Sequence, residues 1–232
     1  MSIDRWVLLR SLDLSDNALT SNAVASMGVL GSLRELDMSG NYLTEVPAGL
    51  DELDATLTLL DLSQNDLDSL TLIGWNAPSS LQWLDLSGNQ LKRLASSVGD
   101  LAQLRALDVS RNVLDALPAI DELVALESFR ATQNALHRLP ALGSLQALRV
   151  LDVSANSIDS VPPSIGDLSQ LDTLDLRTNV LSALPLEITA LDTIERVWVA
   201  GNRLCNPSGP VDHWLTLHAE TNWDTLQDCT AP

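Results

Sequence analysis

The segment LRSLDLSDNAL, beginning at Leu9, returns with the same skeleton at Leu33, Leu57, Leu81, Leu104, Leu126, Leu148, Leu171 and Ile194. Successive spacings are 24, 24, 24, 23, 22, 22, 23 and 23 residues. Each copy carries an Asn two residues before its last Leu or Ile: Asn17, Asn41, Asn65, Asn89, Asn112, Asn134, Asn156, Asn179 and Asn202. A unit this short cannot bury an apolar face alone. The copies must therefore stack, each sealing the next.

Within a copy, apolar residues alternate with polar ones at period two, as in a half-buried strand. The fourth position reads Leu12, Leu36, Leu60, Leu84, Leu107, Phe129, Leu151, Leu174 and Val197, and the sixth runs from Leu14 to Val199. Phe129 precedes Ala131 by two residues, so a large side chain beside a small one keeps core volume roughly constant. One strand per copy predicts a parallel sheet of about nine strands, roughly 40 Å long at about 4.8 Å per strand. The repeated Asn turns the chain off each strand, and its amide can donate to and accept from backbone in neighbouring turns, forming a ladder. Pro47, Pro118, Pro140, Pro162 and Pro185 follow the Asn in five copies and send the chain back in extended or short helical segments.

The pattern L-x-x-L-x-L-x-x-N-x-L over residues 3–204 resembles the leucine-rich-repeat family, and the stretches VPPSIGDL and LPLEITAL resemble its 23-residue class, shared by many receptors and intracellular scaffolds. The resemblance implies an α/β-type repeat fold: a right-handed horseshoe solenoid, strands on the concave face, irregular and 3-10 segments on the convex face. It places the solenoid at 1–204, with a partial N-terminal cap at 1–8, and a C-terminal cap at 205–232. Ile3 and Trp6 fall where convex leucines of a preceding repeat would lie, so the chain begins inside a partial repeat, as a minimal cap or as a piece of a longer protein.

Past the ninth copy, Trp214, Leu217, Trp223 and Leu226 should fold over the open end, with a short helix from about Pro210. Cys205 and Cys229 bracket this segment. The similarity to cysteine-bearing caps of extracellular leucine-rich-repeat proteins implies a disulfide between them, although the usual four-cysteine form is absent. Two reduced cysteines of a cytosolic protein are the alternative. A bridge would constrain the unfolded chain by about 3 kcal/mol.

The chain is acidic, with 31 Asp and Glu against 13 Lys and Arg and a net charge of −18. Nucleic acid and anionic membrane are therefore poor partners. No apolar run is long enough to span a bilayer. The sequence carries no phosphate-binding glycine loop, G-x-S-x-G or H-E-x-x-H. Cys205, His213, His218 and Cys229 fit no zinc spacing. No enzyme, cofactor or metal is expected, and His137 reads as a solvated convex residue.

The residues between the core positions should face outward on the concave sheet. The fifth position reads Asp13, Asp37, Asp61, Asp85, Asp108, Arg130, Asp152, Asp175 and Trp198, an acidic stripe that Arg130 interrupts. Its Asp residues are common in this family and can bond to the serines that follow them. The third position reads Ser11, Glu35, Leu59, Trp83, Ala106, Ser128, Val150, Thr173 and Arg196. Leu59 and Trp83 form an apolar pair among acids, as an interface does. The expected binding surface is Glu35, Asp37, Leu59, Asp61, Trp83, Asp85, Asp108, Arg111, Arg130, Asp152, Asp175, Arg177 and Trp198. Arg111 and Arg177 are expected near Arg130, and Trp198 is either a second anchor or part of the cap. The expected function is recognition of a protein or peptide, preferentially basic, by a receptor ectodomain or secreted protein. An intracellular scaffold for a small GTPase or kinase pathway is the alternative.

Overall fold

The computed structural model describes residues 6–21, 27–47, 49–53, 55–68, 77–205, 207 and 209–229. Ile3 and the last three residues of the expected cap lie outside them.

Nine three-residue strands form one parallel sheet in chain order. They are β1 (Ser11–Asp13), β2 (Glu35–Asp37), β3 (Leu59–Asp61), β4 (Trp83–Asp85), β5 (Ala106–Asp108), β6 (Ser128–Arg130), β7 (Val150–Asp152), β8 (Thr173–Asp175) and β9 (Arg196–Trp198). Every pairing joins equivalent positions, so Leu36 lies against Leu12 and Leu60, and Asp61 against Asp37 and Asp85. The central residue of β2 to β9 is buried, including Phe129 beside the equally buried Ala131. One apolar interior runs from Met27 to Trp223.

The asparagines hold successive repeats together. Asn65 donates through Nδ2 to the carbonyls of Leu62 and Ser63 in its own repeat, and to that of Met38 in the repeat before. Its Oδ1 accepts the Leu43 amide at 3.0 Å. Asn41, Asn89, Asn112, Asn134, Asn156 and Asn179 repeat this pattern. The residue just before each Asn is left-handed in all nine repeats: Asp16, Gly40, Gln64, Gly88, Arg111, Gln133, Ala155, Thr178 and Gly201. That turn carries the chain from the sheet to the return side, where Ser96–Asp100, Pro163–Asp167 and Leu186–Ala190 form 3-10 turns. Pro162 and Pro185 sit extended immediately before two of them and fix the entry angle. Val98, Ile165 and Ile188 are buried beneath the turns.

The two ends differ. At the C-terminus, helix α1 (Pro210–His218) buries Trp214 and Leu215, and the Trp214 indole donates to the Leu191 carbonyl at 3.1 Å. Ala219 bridges in parallel to Val197 on the outer edge of β9, and just past that strand the Glu220 carboxylate accepts the Val199 and Ala200 amides. Gln227 accepts the Leu204 amide at 3.2 Å and donates to the Val199 carbonyl at 3.1 Å. A disulfide joins Cys205 to Cys229, with Cα atoms 5.8 Å apart. At the other end Leu12 and Leu14 are only half-buried, and Trp6, Val7 and Leu8 are exposed. Among the described residues, no helix is long and apolar enough to cross a membrane.

Candidate functional site

The concave sheet displays two lanes of side chains, both running across the strands. The register aligns the third-position residues as one lane and the fifth-position residues as the other. In the first lane Glu35, Leu59, Trp83 and Ala106 are successive neighbours. Trp83 is 47% exposed, although indole is costly to leave in water. In the second lane Asp13, Asp37, Asp61, Asp85 and Asp108 are successive neighbours, and Arg130 follows. A concavity of about 250 Å³ opens at the β1 end, lined by Ser11, Leu12, Asp13, Glu35, Asp37 and Leu59.

Each aspartate of this lane is held locally. Oδ1 of Asp13, Asp37, Asp61, Asp85, Asp108 and Asp152 accepts the backbone amide of the serine two residues on, at 2.8–3.0 Å. For Asp13, Asp37 and Asp152 it also accepts the serine hydroxyl. These bonds close the turn after the strand, as an Asx turn does. The expected bonds between aspartates and serines are thus present, and they fix each carboxylate in place.

The bonds do not neutralise the charge. Among the described residues, the ion pairs are Arg105–Glu127, Arg149–Asp172 and Arg177–Asp175. The lane from Asp13 to Asp108 has none. Burial raises the Asp85 carboxyl above its ordinary value, and the charges of Asp61 and Asp108 add to this against the serine bonds. Asp13, fully exposed, is instead lowered by its bonds to Ser15.

Arg130 stands in register between Asp108 and Asp152, yet its guanidinium donates to Ser128 Oγ at 2.9 Å and pairs with neither carboxylate. Arg111 occupies the left-handed turn beyond β5, and Arg177 follows β8, so both lie past the strand ends and outside the two lanes. Arg177 grips the buried Asp175 and lies 5.3 Å from the Trp198 ring centre. Asp175, Arg177 and Trp198 thus form a closed cluster next to Glu220 of the cap, separate from the Leu59–Trp83 patch. Trp198 is half-buried in that cluster. Glu220 and Gln227 were not legible as structural residues in the repeat pattern. The only signal is that Gln227 falls 25 residues after Asn202, close to one period.

Among the described residues, no group of three or more His, Cys, Asp or Glu side chains is placed to hold a metal ion. His137 is exposed on the convex side. The concave face presents an open apolar strip beside a row of carboxylates, each held by its own turn.

An open sheet of in-register repeats, closed by an asparagine ladder, defines a repeat solenoid with one displayed face. Family profiles described as leucine rich repeat match residues 7–67, 55–114 and 147–168. The chain belongs to the leucine-rich-repeat family, whose fold is a protein-interaction scaffold. No curated protein sequence matches it. Among solved structures, the functional domain of InlJ from Listeria monocytogenes, which includes a cysteine ladder, is 22% identical with a TM-score of 0.76, covering 99% of this chain and 50% of that one. The PEPR1–AtPEP1 structure is 24% identical with a TM-score of 0.76, covering 91% and 34%. A TDR receptor is 26% identical with a TM-score of 0.62, covering 84% and 39%. The chain thus spans half or less of each of these three proteins.

Proposed function

We propose that this chain is a noncatalytic recognition domain that binds a protein or peptide on its concave face, preferring basic partners, at the cell surface or outside the cell. The observation that carries this reading is the register of Leu59 with Trp83 directly beside that of Asp61 with Asp85. An exposed Trp next to unpaired carboxylates is costly to maintain in a free surface and favourable to cover with a cationic, partly apolar ligand. The Cys205–Cys229 bridge supports an oxidising compartment, because cytosolic thiols are kept reduced. The TDR receptor and the PEPR1–AtPEP1 pair show the same scaffold in a receptor and in a complex.

The test compares capture of partners from the native organism by the wild-type chain and by a Trp83→Ala, Asp61→Lys, Asp85→Lys variant of equal stability. Basic partners retained by the first and lost by the second, with affinity falling as salt rises, support the reading. Equal affinity for both proteins removes the concave assignment. A thiol titration of protein isolated without reductant tests the compartment, since two free thiols would favour the intracellular scaffold.

A further inference from the structure

The shape of the ligand can be read from the spacing of the two lanes, taking concave-face recognition of a basic partner as the starting point. We infer that the face from β1 to β5 accepts a basic amphipathic helix lying along the solenoid axis, its apolar stripe on Leu59, Trp83 and Ala106 and its Lys or Arg stripe on the aspartates from Asp13 to Asp108.

Three features of the surface carry this. The first is pitch. Neighbouring strands stand about 4.8 Å apart, so each lane offers one side chain per 4.8 Å across the strands. A helix presents one side chain per turn on each stripe, every 5.4 Å. Across the four steps from β1 to β5, the helix drifts out of register by about 2–3 Å, within reach of flexible lysine stems. An extended peptide presents same-side residues about 6.7 Å apart and drifts by about 7–8 Å over those steps, more than a whole strand.

The second is lane separation. The two lanes hold residues i and i+2 of each strand, about 6.7 Å apart. Side chains 60–80° apart around a helix 10–12 Å wide stand about 5–7 Å apart. One face of a helix can therefore occupy both lanes at once; from β3 to β5 its two stripes need opposite character, as the lanes have there, while Ser11 and Glu35 make both lanes polar at β1 and β2.

The third is charge and its limits. Five consecutive carboxylates that pair with no cation among the described residues attract a row of cations, and Arg130 ends the row at β6. The available length, about 19 Å, corresponds to a helix of about 13 residues. The upward displacement of the Asp85 carboxyl fits the same picture: a cation placed there relieves the repulsion from Asp61 and Asp108.

The probe is a fluorescein-labelled Leu/Lys peptide of about 14 residues, patterned as an amphipathic helix. Its control is the same sequence except for two central residues replaced by proline. Binding is read by anisotropy at physiological salt. The helical peptide is expected to bind at least about tenfold more tightly than the proline control, because proline breaks the stripe. Asp61→Asn with Asp85→Asn should weaken the helical peptide by about tenfold, while retaining the acceptor oxygens for Ser63 and Ser87. Asp115→Asn with Asp159→Asn, on exposed residues outside both lanes, should change it by less than about twofold. Thermal melts confirm that both variants are folded. Equal binding of the two peptides, still sensitive to Asp61 and Asp85, would overturn the helix and leave the basic-ligand reading intact. Equal effects from the two aspartate pairs, or none from Asp61 and Asp85, would overturn both.

Discussion

Gln227 stands to Asn202 as Asn202 stands to Asn179. Each amide accepts the backbone N–H of the preceding repeat's last core leucine, Leu204 or Leu181, and donates to the preceding sixth-position carbonyl, Val199 or Leu176. The cap thus supplies the ladder contact that a tenth repeat would make. Gln227→Ala leaves the buried Leu204 amide without its acceptor, so it should cost about 1–3 kcal/mol in chemical denaturation. A midpoint equal to the wild type would mean that water replaces the amide and that Gln227 is not a structural substitute.

The ladder itself makes a contrast between its interior and its edge. Asn112→Ala removes the acceptor of the Leu91 amide and the donor to the Leu86, Val109 and Ser110 carbonyls, most of them buried. The expected loss is about 3 kcal/mol. Asn17 is exposed, and among the described residues it bonds only to Leu14 and Ser15 of its own repeat. Asn17→Ala should therefore cost less than about 1 kcal/mol. Urea titrations of the two variants check the difference, and equal losses would refute an inter-repeat role.

Asp85 should leave a signature in the pH dependence of stability. Its carboxyl is raised in the fold, so the native state holds this proton more tightly than the unfolded chain. Stability linked to this group is present below the unfolded value near 3.8 and is lost as pH rises through the higher folded value. Asp85→Asn removes the ionisation. The variant should gain stability relative to wild type as pH rises above about 3.8 and keep that advantage at neutral pH. Paired unfolding curves between about pH 3 and 7 test this; an advantage that shrinks with rising pH would contradict the direction.

Thr178 holds a left-handed conformation at φ 55°, where its equivalents include Gly40, Gly88 and Gly201. A β-branched residue is strained there, and its side chain is exposed, so little packing is lost by removing it. Thr178→Gly should stabilise by about 0.5–1 kcal/mol after the larger entropy of unfolded glycine is offset. Lower stability in a thermal melt would show that the hydroxyl makes a compensating contact.

Much of the fold was legible because its determinants recur. Leucine at the fourth position and asparagine at the ninth report one physical requirement many times over, and the register followed from them. The left-handed turn recurs just as strictly but is served by Asp, Gly, Gln, Arg, Ala and Thr, so no residue type marks it. Gln227 escaped notice because a helix lies between it and Asn202, and because a longer side chain does the work of the expected asparagine. At the candidate site, the Leu59–Trp83 pairing could be counted from the repeat. The coupling of Arg177 to Asp175 and Trp198 could not, because a side chain's choice among neighbours depends on rotamers rather than on period. The same holds for Arg130, whose register between two acids produced a bond to Ser128 and no ion pair.

Because each aspartate's Oδ1 is tied to an amide of its own turn, the position of one carboxylate does not depend on its neighbour's side chain. The acidic row behaves as a comb whose tooth spacing is set by backbone pairing alone. Inserting or deleting a whole repeat between β2 and β5 would then lengthen or shorten the comb by one tooth without bending the others. Ligand length could be matched by copying repeats, with no redesign of any single contact.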